Sequence, residues 1–97
     1  MRLIVSPAVL QKLKTKHSVS IGEVEECFLN QARVFLEDDR TEHLTIPPTR
    51  WFIAETDRGR VLKVVFVEHP SEVYELKTAY QPSSQEERIY DKYAQFI

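Results

Sequence analysis

The stretch Arg60-Val61-Leu62-Lys63-Val64-Val65-Phe66-Val67-Glu68 decides the fold. From Val61 to Val67 every residue except Lys63 is apolar. A run of that kind is a strand covered on both faces, which places it inside a sheet rather than at its margin. Its neighbours supply the partners. Trp51 to Thr56 is a strand that reaches Arg60 through the turn Asp57-Arg58-Gly59. His69-Pro70-Ser71 turns the chain again, and Val73 to Tyr80 is a third strand. Upstream, Val34-Phe35-Leu36 is a fourth, short strand. It is followed by an irregular acidic loop from Glu37 that Pro47-Pro48 closes.

The flanks are helical. Ser6-Pro7 caps and starts a helix in which Val9, Leu10 and Leu13 recur at helical spacing, while Lys12, Lys14 and Lys16 take the wet side. Leu3 to Val5 is either a short strand or a plain lead-in. Ser20 and Glu23 have the spacing of a capping box, with Val19 and Val24 at the positions of a hydrophobic staple. The helix they open puts Ile21, Val24, Cys27 and Phe28 on one face and ends near Asn30. After Pro82-Ser83 a second box, Ser83 with Glu86 or Ser84 with Glu87, opens the last helix. Its stripe of Ile89, Tyr93, Phe96 and Ile97 is expected to dock on the sheet. The predicted fold class is α+β: two N-terminal helices, a four-stranded antiparallel sheet in the order 1-2-3-4, and one C-terminal helix.

Three-residue turns set Thr56 opposite Arg60 and Phe66 opposite Tyr74. One face then collects Phe52, Ala54, Leu62, Val64, Phe66, Tyr74, Leu76 and Thr78, a core face for the helices to cover. The other collects Trp51, Ile53, Val61, Lys63, Val65, Glu75, Lys77 and Ala79. This register sets Lys63 directly opposite Lys77. Like charges at facing positions are unfavourable unless screened, here by Glu75, or unless the pair holds an anion such as a phosphate beside Trp51.

Ninety-seven residues make one domain, spanning 1–97. With 42% hydrophobic and 29% charged residues, the chain is neither disordered, collagen-like nor a coiled-coil rod. Its net charge of −2 excludes a strongly basic nucleic-acid binder, so any contact with nucleic acid rests on a local patch. A single cysteine, Cys27, rules out an intrachain disulfide and fits a reducing cytoplasm. No secretory leader and no membrane span are expected. The histidines His17, His43 and His69 are scattered, so neither a metal nor a cofactor is expected. Cys27, on the apolar helix face, is a core residue.

An ordered set of segments carries a resemblance. They are Lys16-His17-Ser18-Val19-Ser20, Glu25-Glu26-Cys27-Phe28, Glu37-Asp38-Asp39-Arg40, Arg50-Trp51-Phe52-Ile53-Ala54 and Gly59-Arg60-Val61-Leu62-Lys63-Val64-Val65-Phe66. Thr78-Ala79-Tyr80-Gln81-Pro82 and Glu87-Arg88-Ile89-Tyr90 complete it. Over roughly residues 10 to 93 the chain resembles the BrnT-like toxins of type II toxin–antitoxin modules, within the RelE/ParE superfamily. The resemblance implies a small α+β fold, a bacterial source, an antitoxin partner and, where active, metal-independent cleavage of RNA. It differs from the toxic pattern in one region. Where that pattern has a basic last strand followed by Ser-Ala-Arg-Arg, this chain has Glu75 and Thr78-Ala79-Tyr80-Gln81. Two or three phosphate-binding arginines are thereby missing.

For an RNA-cleaving member, the candidate catalytic residues are Lys63, Lys77 and Arg60, to stabilise phosphorane-like charge, with Tyr80 or His17 to move protons. Arg50, Trp51 and Arg88 are the candidates for RNA binding. Each has a plainer role open to it. His17 can hydrogen-bond the helix–helix turn, Arg50 and Arg60 can be solvated strand ends, and Tyr80 can cap the core with its ring. The alternative function is a protein-binding module of the same fold whose catalytic set has eroded. In either case the face with Trp51, Ile53, Lys63 and Lys77 is the expected docking surface, unless Trp51 packs under the Thr41–Pro48 loop of its own chain.

Overall fold

A computed structural model describes residues 1–38 and 46–97. The expected loop therefore lies largely outside the described residues, with Asp39, Arg40, Thr41 and His43. The strands are β1 (Arg2–Ile4), β2 (Leu36–Glu37), β3 (Thr49–Glu55), β4 (Val61–His69) and β5 (Val73–Tyr80). They form one sheet in the order β1-β5-β4-β3-β2, with β4 in the middle as its apolar run requires. The helices are α1 (Pro7–Lys12), continued by a π-helical turn over Leu13–His17, α2 (Ile21–Leu29) and α3 (Ser84–Tyr93).

The α+β class stands, but the four-stranded antiparallel sheet does not. Residues 2–4 form a fifth strand, and β1 runs parallel to β5 with Arg2 beside Val73 and Ile4 beside Glu75. The sheet is therefore mixed. Local pattern could not show this pairing, because it joins residues some seventy positions apart in the chain. The short strand near residue 35 is Leu36–Glu37, paired to Trp51 and Arg50. Just before it, Arg33 bridges to Phe96.

The first hairpin has the expected register, with Glu55 opposite Val61 and the Thr56 amide donating to the Arg60 carbonyl at 2.9 Å. Gly59, at φ +83°, supplies the left-handed residue the turn needs. The second hairpin departs from expectation. His69 pairs with Val73, so the loop is Pro70-Ser71-Glu72, with Ser71 and Glu72 both left-handed. The register then slips again: Phe66 faces Leu76 while Val65 faces Thr78, which leaves Lys77 as the extra residue of a β-bulge. Beyond the bulge the faces exchange. Ala79 joins the core face beside Val64, and Thr78 turns to the other.

The core face holds Phe52, Leu62, Val64, Phe66 and Leu76, each essentially without exposure. Leu13, Val19, Val24, Cys27 and Phe28 cover it from the N-terminal helices. The ring of Phe28 sits 4.8 Å from that of Phe52 and 5.4 Å from that of Phe66. The α2 capping box is present, with the Glu23 amide donating to Ser20 Oγ and the Ser20 amide to Glu23 Oε1.

The last helix goes elsewhere. The stripe Ile89, Tyr93, Phe96 and Ile97 does not dock on the sheet; all four remain exposed, Tyr93 by 61%. Tyr90, one position along from Ile89, is the residue that docks, and its ring lies 5.5 Å from that of Trp51. So α3 covers part of the sheet face opposite α1 and α2. Arg33 fixes its far end by donating to the carbonyls of Asp91 at 3.0 Å and Ala94 at 3.3 Å. The Tyr90 hydroxyl lies 3.2 and 3.0 Å from the carbonyl oxygens of Arg33 and Val34. Burial pushes the Tyr90 phenol up to about 12 although the Ile53 amide and Arg33 pull it down.

Candidate functional site

Trp51 and Lys63 reach the α3 side of the sheet because odd positions of β3 and β4 point there, and Tyr80 follows because the bulge sets it opposite Lys63. The N-terminus of α3 completes the cluster. Ser83 caps it and Glu86 closes the box, so one carboxylate oxygen takes the Ser83 amide at 2.9 Å. The other, Oε2, accepts from Lys63 Nζ and from the Tyr80 hydroxyl, both at 2.7 Å. Lys63 Nζ also stands 4.4 Å from the centre of the Trp51 ring, a cation–π contact.

The Lys63 side chain keeps only 11% of its exposure. Burial raises the Glu86 carboxyl pKa, but Lys63, the Ser83 amide and Tyr80 outweigh it and hold the group down at about 2. The His17 ring rests 5.6 Å from that of Tyr80. Burial, then Lys12 and Lys16, holds its pKa below the usual histidine value, which favours the neutral imidazole. His17, Tyr80, Lys63 and Trp51 thus gather at one end of the sheet.

The remaining candidates do not bring their side-chain charge into this cluster. Lys77 does not face Lys63: the bulge sets Tyr80 there, and Lys77 Nζ pairs with Glu75 Oε2 at 2.8 Å. Of the two alternatives for the lysines, the paired-lysine anion site does not form, and Glu75 is the carboxylate that meets Lys77. Glu75 is shared with His69 Nε2 at 2.9 Å, and Lys77 and His69 hold its pKa low. Arg60 lies on the core-face side. It donates to the carbonyls of His17 at 3.1 Å and Ser18 at 2.8 Å and meets Glu23 at 3.1 Å. It closes the C-terminal end of the π-helical turn, where Ser18 is left-handed at φ 52°. Arg50 pairs with Glu68 at 3.1 Å and Glu37 at 3.7 Å. Arg88 is exposed on α3.

Trp51 is 9% exposed, so within its own chain it is a core residue rather than an open anchor. Among the described residues Tyr90 of α3 covers it, and the Thr41–Pro48 loop offered as its cover lies largely outside them. Cys27 is buried as expected. Its thiol donates to the Ala54 carbonyl at 3.7 Å, and burial pushes its pKa up to about 12.

Sequence reasoning missed Glu86 as a functional group, because it was assigned only to the cap. The available signal was Lys63 itself: a lysine inside a buried apolar run needs a carboxylate, and helix caps supply them. Beside the cluster, a groove of about 710 Å³ runs between the β2–β3 margin and α3, with Leu36, Glu37 and Asp38 on one wall and Ile89 and Tyr93 on the other. Trp51 and Lys63 lie at its floor. Among the described residues no helix is long and apolar enough to cross a membrane. Set against protein-family models, curated proteins and solved structures, the chain finds no significant match in any of the three.

Proposed function

We propose that the chain is a protein-binding module of BrnT/RelE-like type that does not carry out ribonuclease chemistry. One observation supports this above others: the cations a metal-independent ribonuclease would aim at phosphate are already engaged. Lys63 is held by Glu86, Arg60 by Glu23 and two carbonyls, Lys77 by Glu75 and Arg50 by Glu68. Bringing any of them to RNA means breaking a charge-assisted contact first. An antitoxin-like protein, encoded in an adjoining bacterial reading frame, is the partner that suits the resemblance.

The convergence of His17, Tyr80, Lys63 and Glu86 favours a second reading, a toxin-like RNA endonuclease in which a neutral imidazole and a phenol move protons beside an ammonium. The two separate in one experiment. The purified chain is incubated with single-stranded RNA, and the chain is expressed in a bacterium while growth is followed. Intact RNA and undisturbed growth are expected. Cleavage that His17→Ala or Tyr80→Phe abolishes would establish the ribonuclease instead.

A further inference from the structure

Resting on the protein-binding reading, we infer that the outer edge of β3 seats one residue of an extended partner segment, a small residue followed by an arginine or lysine, in parallel beside Ala54. The backbone makes the seat. In the β3–β4 register the Thr56 amide turns inward to Arg60, so Ile53 and Glu55 send their amides and carbonyls out from the sheet. The outer two of these four groups are engaged. The Ile53 amide meets the Tyr90 hydroxyl, and the Glu55 carbonyl takes Asn30 Nδ2 at 3.0 Å. The inner two, the Ile53 carbonyl and the Glu55 amide, have no hydrogen-bond partner among the described residues. They border an open space of about 600 Å³ whose lining includes Asn30, Ala32, Ala54 and Asp91.

A carbonyl and an amide on either side of one residue are what a parallel neighbour pairs with: its N–H donates to the first and its C=O accepts from the second. The chain already contains such a pairing. Arg2 stands opposite Val73, and its amide donates to the Glu72 carbonyl at 3.1 Å. An antiparallel neighbour needs both groups of a single residue, and Ile53 and Glu55 each have one taken. The same two contacts hold the pairing to one residue. Side chains then set the sequence. Residues in register share a face, so the seated side chain points with Ala54 to the α2 side, where Ala54 is buried and a small group fits. The next residue falls beside Glu55 on the α3 side. The Glu55 carboxylate is exposed and has no ion pair or hydrogen bond among the described residues. Asp91 is 71% exposed, with Arg33 at 3.6 Å, and the Arg33 guanidinium is turned to the Asp91 and Ala94 carbonyls. A cation beside Glu55 meets opposite charge, whereas a carboxylate or a phosphate there meets like charge.

Amide NMR of the isotope-labelled chain reads the seat directly, because the Glu55 N–H is one of its two contacts. The probes are a blocked peptide of glycine, alanine, arginine and glycine, a twin with glutamate for arginine, a twin with its alanine N-methylated, and a single-stranded RNA oligonucleotide. Only the first is expected to give a saturable downfield shift of the Glu55 amide, with slower hydrogen exchange there. Methylation removes the donor to the Ile53 carbonyl and should abolish the response. Glu55→Lys should weaken the arginine peptide about fivefold or more and make the glutamate twin the better ligand. The N-methylated twin needs no variant, so the test holds if Glu55→Lys misfolds. Lys14→Glu, on the π-helical turn away from this edge, should leave binding unchanged.

A Glu55 amide unmoved by millimolar arginine peptide, an equal response to the N-methylated or glutamate twin, or a response to RNA alone would each overturn the proposal. RNA cleavage by the chain would defeat the protein-binding reading instead, while the peptide comparison would still decide whether the β3 edge seats a residue.

Discussion

On the α2 side of the sheet, Phe28, Phe35, Phe52, Phe66 and Tyr74 meet ring to ring at 4.8–6.3 Å. On the α3 side, Trp51 and Tyr90 stand beside an ammonium, a carboxylate and a phenol hydroxyl tied together by two bonds of 2.7 Å. The first arrangement is non-directional. Its stability scales with area removed from water, and any sequence that keeps the apolar alternation can build it. The second depends on each member finding its partner, since a single loss leaves a desolvated charge without compensation. The first face holds the fold together, and the second fixes where α3 sits.

The comparison breaks most visibly at Phe66. Phe66→Ala empties the centre of the aromatic cluster and is expected to cost about 3–5 kcal/mol in urea unfolding, a large share of the stability of a domain this size.

Next comes Glu86→Ala, which takes the carboxylate from Lys63, Tyr80 and the Ser83 amide together, with an expected loss of about 2–4 kcal/mol. Pairing Lys63→Met with Glu86→Gln should recover more than half of the loss seen for Lys63→Met alone, because both charges then leave together. Equal losses would mean the pair is not coupled. The same contact sets a pH dependence. The Glu86 carboxyl falls from an ordinary 4.5 to about 2 on folding, so its contribution is complete above the unfolded value and fades as pH drops toward 2. Acid unfolding of Glu86→Gln should lack that part of the slope, up to about 3 kcal/mol.

Thr78 sharpens the comparison with the opposite sign. The bulge turns it away from the core face, and its buried hydroxyl has no hydrogen-bond partner among the described residues. Thr78→Val is expected to gain about 0.5–1 kcal/mol in thermal unfolding, and a loss would reveal a partner for the hydroxyl. The smallest effect belongs to Lys77, whose pair with Glu75 is half exposed. Lys77→Ala should change stability by less than about 0.5 kcal/mol.

Much of the fold was legible because it is local. The β4 run, both capping boxes and the first hairpin are written in residues close together in the chain, and β5 begins and ends at Val73 and Tyr80 as expected. What escaped is non-local or unmarked. The bulge at Lys77 carries no glycine or proline to announce it, yet it moved Thr78 and Ala79 between faces and separated Lys63 from Lys77. The α3 stripe misled because hydrophobic periodicity reports that a face is apolar, not what covers it. The site was half legible. Lys63, Tyr80, Trp51 and His17 do meet, while Arg60 serves the π-helical turn and Glu86 was missing from the set.

β2 pairs with Trp51 and Arg50 of its neighbour, and the Asp38 amide extends this cover by donating to the Thr49 carbonyl at 2.8 Å, so among the described residues the stretch of β3 from Phe52 to Glu55 has no strand beside it on that edge. Side chains intervene. The Ile53 amide meets the Tyr90 hydroxyl, and the Asn30 amide donates to the Glu55 carbonyl at 3.0 Å and to Asp57 at 2.9 Å. These two groups act as stoppers on an unfinished edge. A strand arriving from a second molecule has to evict both before it can zip on, which guards this edge of the sheet against fibril growth.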